Sequence, residues 1–165
     1  MSTAVTNQKT IGKKTYEECE DAKLVAHKIL HDPINFPVAF KPEDNVKVCY
    51  LKVYPHITKH IIGRCIKASH TTKYFSDFDY VIEVSGDLWD KLNDMTKEVL
   101  MWHELNHIYV EYNKGGDRIL KIRDHDVQDF SEIIKQYGIE WFDDLRTMSS
   151  SVYDLEPADH RRIRL

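Results

Sequence analysis

The chain has 165 residues, with 23 basic and 27 acidic side chains and a formal charge of −4. That length fits one domain able to bury about two thirds of its unfolded surface, so neither a disulfide nor a metal is needed merely to fold. The weakly acidic balance argues against bulk-charge coating of nucleic acid, leaving only a local basic patch as a route to such a partner.

Cys19, Cys49 and Cys65 are too few and too dispersed for a disulfide scaffold or a cysteine-rich zinc knuckle, which points to a reducing compartment. No apolar run approaches the ~18 residues of a membrane span, and the polar N-terminus does not look like a secretory signal. The expectation is a cytoplasmic protein.

Residues 1–14 are small, polar and basic, and read as a flexible tail ahead of a domain spanning 15–147, with 148–165 as a C-terminal extension. Thr15 can cap a helix carrying Glu17, Glu18 and Glu20 in its first turns. Tyr16, Cys19, Leu24, Val25, Ala26, Ile29 and Leu30 give it a rough 3.6 period up to Asp32-Pro33. Residues 34–40 form a hydrophobic connector. Strands are expected over 45–54, 61–68 and 79–84, with a polar and aromatic link over 69–78.

Ser85-Gly86-Asp87 reads as a turn into a short helix over 88–92. Asn93 or Asp94 then caps a longer helix running from 95 to about 112. Gly115-Gly116 would end it, since each glycine costs a helix about 1 kcal/mol. A last clear helix starts at Asp124 or Asp126, with Val127, Phe130, Ile133, Ile134 and Tyr137 apolar and Gly138 past its end. The order of elements suits a small α+β domain.

One pentapeptide dominates the chemistry: His103-Glu104-Leu105-Asn106-His107. Histidines four apart share one helix face, about 6 Å apart at Cβ, so both imidazoles can reach a single ion. Zinc takes neutral imidazole nitrogen at about 2.1 Å. Glu104 is rotated round the helix, where its carboxylate can take a proton from a water activated at the metal. With nine histidines and eleven glutamates in the chain, about 0.03 such matches are expected by chance. The apolar stripe of Val99, Leu100, Trp102, Leu105 and Ile108 gives the motif a helical setting.

A catalytic zinc needs a third protein ligand and an open position. His125 is the preferred candidate, brought back by the glycine-containing loop, with Asp126 and Asp129 as competing ligands or as groups that orient a ring nitrogen.

The order DYVIEV, a short helix, EVLMWHELNHI, DHDVQDF and IIKQYGIEW resembles the phage-type metallopeptidases. These are small zincins distantly similar to SprT-like and ImmA/IrrE-type proteases. The resemblance covers roughly residues 16–143 and matches His103, Glu104 and His107, then His125, Asp126, Asp129 and Phe130. It implies a mixed sheet packed against the active-site helix, flanking helices, and zinc held by His103, His107 and a residue of the His125 segment. The implied partner is a protein or peptide substrate, cleaved as an endopeptidase rather than an exopeptidase would. The alternative is a zincin-fold regulatory protein that binds a partner without turnover. Unlike SprT-like proteins with a separate DNA-binding zinc region, this chain has no Cys-x-x-Cys pair.

Tyr109, Tyr112, Arg123 and Tyr137 are all chemically able to stabilise an oxyanion, and none stands out. The strand over 79–84 is expected at a sheet edge, where it could pair with an extended peptide. His56, His60 and His70 read as surface or core histidines before they read as a second metal site. Lys59, Arg64, Lys67 and Lys73, with Tyr74 and Phe75, make a faint basic and aromatic patch.

Overall fold

A computed structural model describes residues 8–125, 131–138 and 140–153. The first residues of the expected tail are outside that range, but Gln8–Ile11 form strand β1, which pairs antiparallel with β2 (Lys14–Glu18). The helix expected from Thr15 therefore starts later. Tyr16 faces Val53 in an antiparallel ladder with β3 (Val48–Tyr54), and that non-local pairing overrides the local helical pattern. Cys19 then caps α1 (Glu20–Leu30), its sulfur accepting from the Ala22 amide at 3.3 Å, with Glu20 and Asp21 in the first turn.

β4 (Gly63–Lys67) and β5 (Tyr80–Ser85) complete a five-stranded sheet of order β1-β2-β3-β5-β4. β5 runs parallel to β3, from Val48↔Tyr80 to Val53↔Ser85, and antiparallel to β4. It is thus an interior strand, buried on both faces, and the outer position beside it belongs to β4. The connection between β4 and β5, expected as a polar and aromatic link, contains α2 (His70–Ser76). Ser69 caps it by accepting from the Thr72 amide at 3.0 Å, and Asp77 ends it in the left-handed region.

After the short α3 (Gly86–Trp89), Asn93 caps α4 (Asp94–Asn106) through the Thr96 amide at 2.8 Å. Tyr80, Ile82 and Val84 of β5 share one core with Ala22, Ala26 and Ile29 of α1 and Val99, Leu100 and Leu105 of α4. At about 25 cal/mol per Å² of apolar surface removed from water, burial at this interface between one sheet face and two helices stabilises the fold.

The helix expected to reach 112 stops at Asn106. Ile108–Tyr112 is β6, paired antiparallel with β7 (Arg118–Ile122). Its β-branched and aromatic residues suit a strand once a partner strand exists. Gly115-Gly116 accordingly turns a hairpin rather than ending a helix. Gly116 adopts φ +82°, and the Asn113 side chain accepts from the amides of Gly115 (2.8 Å) and Asp117 (2.9 Å).

Asp124 and His125 are not helical, so the last helical region does not begin at Asp124. It is described over α5 (Ser131–Tyr137) and α6 (Glu140–Tyr153), and α6 continues past the boundary expected at 147. No helix among the described residues is long and apolar enough to cross a membrane.

Candidate metal centre

The last turn of α4 carries the motif. His103 and Glu104 are fully buried, and His107 follows as the C-cap, still in the right-handed helical region at φ −72° and ψ −19°. Four-residue spacing therefore keeps both rings on one face, with centroids 5.2 Å apart. The helix stops because the next amides and carbonyls enter the hairpin ladder. The Arg123 amide donates to the His107 carbonyl at 2.8 Å, one rung beyond the Ile108↔Ile122 pair.

That rung delivers the third histidine. Two residues past Arg123, the His125 Nε2 stands 2.9 Å from the His103 Nε2, and the His125 ring lies 4.8 Å from that of His103 and 4.7 Å from that of His107. One donor nitrogen from each of the three rings falls within 4.8 Å of the others. A tetrahedral zinc with bonds of about 2.1 Å sets neighbouring donors about 3.4 Å apart, so small ring adjustments fit the trio to such an ion.

The His107 Nδ1 is 2.7 Å from the Arg123 carbonyl. A carbonyl can only accept, so the proton sits on Nδ1 and the ring's lone pair on Nε2, the tautomer a metal ligand needs. Trp141 of α6 walls the His103 side, with ring centroids 6.4 Å apart.

Glu104 reaches toward β4. A Cβ placed on Gly63 would meet its carboxylate. Burial first, and the Glu104 charge second, push the Cys65 thiol far above its usual value. Cys65 is therefore a neutral neighbour of Glu104 rather than a thiolate. The sequence pointed to neither Gly63 nor the Arg123 carbonyl, because one acts by lacking a side chain and the other through its backbone. Trp141 stands out in the sequence only as the last residue of the IIKQYGIEW segment.

Asp126, Asp129 and Phe130 lie outside the described residues. Among the described residues, no second group of three donors assembles. His56 packs edge-on against Tyr153 with centroids 4.8 Å apart, and His70 is exposed in the first turn of α2. Two of the four cations in the basic patch are paired, Arg64 with Glu83 at 2.7 Å and Lys73 with Asp79 at 2.6 Å. Of the oxyanion candidates, Tyr112 donates to Asp44 Oδ1 at 2.7 Å, and Tyr137 sits edge-on to Trp102 with centroids 6.3 Å apart.

Compared with known proteins, the chain matches no curated sequence and no solved structure. Residues 13–153 do match the family described as putative phage metallopeptidase. A match over that much of its length makes this protein a member of the phage metallopeptidase family.

Proposed function

We propose that the protein is a zinc-dependent endopeptidase in which His103, His107 and His125 hold the ion and Glu104 is the general base. The observation that carries this reading is the convergence of three imidazole donors within 4.8 Å beside a buried glutamate. An all-imidazole set suits zinc, and three protein ligands leave a fourth position open, as in catalytic rather than structural sites. The ion would supply an acidified water and polarise the scissile carbonyl.

The chain's own residues do the rest. Glu104 accepts the proton as the water attacks the carbonyl carbon, then returns it to the amine nitrogen as the C–N bond breaks. Proton and charge balance without a further reactant. His107, oriented by the Arg123 carbonyl, keeps its lone pair directed for coordination. β4, the outer strand of its sheet and next to Glu104 through Gly63, offers backbone groups to an extended peptide. A chain paired along a strand can continue past the site in both directions, which favours cleavage of internal bonds. The three free cysteines suit the reducing cytoplasm.

The test is proteomic identification of products made by zinc-loaded protein, with Glu104→Gln as control. The variant should keep its zinc and lose hydrolysis. Retained turnover in a folded, zinc-loaded Glu104→Gln protein removes Glu104 as the base. No products from the unaltered protein, with a partner retained on it, would favour the binding-only alternative.

A further inference from the structure

The β6–β7 hairpin carries one metal-ligand candidate at its entrance, His107, and another just beyond its exit, His125. It belongs to a separate two-stranded sheet, outside the five-stranded one. A lone two-stranded hairpin is marginal in water, yet coordination tolerates displacements of only about 0.2 Å. Something must therefore hold the hairpin at a fixed height above the core.

Lys67, donating to the Leu120 carbonyl at 3.2 Å, and Tyr112, donating to Asp44, contribute, and two further side chains make paired contacts at separate points along the hairpin. Tyr80 is fully buried at the start of β5, and its hydroxyl donates toward the Lys121 carbonyl at 2.7 Å, with the Tyr109 carbonyl at 3.2 Å. Tyr109 and Lys121 face each other across the hairpin, two rungs from the His107–Arg123 rung. At about 3.4 Å per residue, that anchor stands about 7 Å from the metal end. Near the turn, both terminal nitrogens of Arg118 grip the segments that lead into β3 and β5 of the main sheet. Nη1 donates to the carbonyls of Asp44 (2.7 Å) and Asn45 (2.8 Å), and Nη2 to both Asp79 carboxylate oxygens at 3.2 Å.

We propose that Tyr80 is a positioning residue of the metal centre: its hydroxyl, with Arg118 as the outer anchor, fixes the β6–β7 hairpin on β5 and so sets where His125 stands relative to His103. The inference rests on the metal-binding reading above. Burial pushes the phenol up to about 12. The hydroxyl therefore remains a donor throughout the pH range in which imidazoles bind zinc. The two carbonyls belong to facing residues of the hairpin ladder, so removing the hydroxyl loosens the attachment of the hairpin without abolishing its own pairing.

The experiment compares the full-length protein with Tyr80→Phe, which keeps the ring in the core, and Arg118→Lys, which keeps the charge but loses the fork. Zinc affinity is measured by competition with a chromophoric chelator, and geometry by the absorption bands of the cobalt-loaded protein. The apo-protein's urea midpoint is recorded alongside. Tyr80→Phe should weaken zinc binding about tenfold, the low end for groups that orient ligands, and alter the cobalt bands. Arg118→Lys should act in the same direction and keeps the test open should Tyr80→Phe fail to fold. Unchanged zinc affinity and cobalt bands in the folded variants overturn the positioning role, whatever the urea midpoint does. Zinc uptake by the unaltered protein that is absent, or indifferent to His103→Ala, overturns the metal reading itself, a result distinct from the former.

Discussion

Gly63 and Glu104 touch where the outer strand of the sheet meets α4. A methyl group on Gly63 would stand 2.6 Å from Glu104 Oε1, 3.2 Å from its Cδ and 3.3 Å from Leu100 Cδ1. Real Cβ atoms do not approach that closely, and Glu104 is fully buried, so its carboxylate would have to turn. Gly63→Ala should therefore cost about 1–3 kcal/mol of stability by overpacking. It should lower turnover by up to about 100-fold, the order expected when a reacting group moves by an ångström. Zinc content should stay at the unaltered level, because the atoms that the added Cβ meets most closely belong to Glu104 and Leu100 and not to a histidine. Metal analysis together with kcat on a cleaved peptide checks this, and undiminished kcat would show that Glu104 has room the structure does not give it.

The third ligand is decided by comparing His125→Ala with Asp126→Asn and Asp129→Asn. His125 already stands 2.9 Å from His103, Nε2 to Nε2. Its removal should weaken zinc binding by more than the roughly 10–100-fold lost with an outer hydrogen-bonding partner. Each asparagine variant should fall within or below that span. A larger loss in either asparagine variant than in His125→Ala would make that carboxylate the ligand.

The contrast between these two sites marks what the sequence could reveal. His103 and His107 were legible because helical spacing alone puts residues four apart on one face, and Asn93 was legible as a cap because capping is local. His125 was legible by residue type, but not by the route that brings it home. That route is a hairpin whose strand, Ile108–Tyr112, satisfies helical and extended patterns equally until β7 pairs with it. The same ambiguity hid β2, whose Thr15 and Tyr16 could cap and begin a helix but instead pair with β3. Strand order is a further non-local property: nothing in residues 79–84 tells that β4 will lie outside β5. Gly63 was invisible for a different reason, since its contribution is the space it leaves for a residue 41 positions later.

Asp79 gives a prediction in which pH has a definite sign. It is almost fully buried and accepts from the Lys47 amide at 2.9 Å, from Lys73 at 2.6 Å and from Arg118 at 3.2 Å. Burial alone would raise its pKa. The Lys47 amide and the two cations outweigh burial and hold the carboxyl below its ordinary value. A group whose folded pKa is depressed contributes stability above its unfolded pKa, about 3.9 for aspartate, and loses it as pH falls through the folded value. Asp79→Asn, which keeps shape and one acceptor, should therefore cost about 1–3 kcal/mol at neutral pH. In urea unfolding of the metal-free protein, the gap between the two proteins should stay level from about pH 7 to pH 5 and close progressively below about pH 4. A gap that persists undiminished at the acid end would mean that the asparagine fails by shape, and that the charge of Asp79 does not tie Arg118, and through it the hairpin, to the sheet.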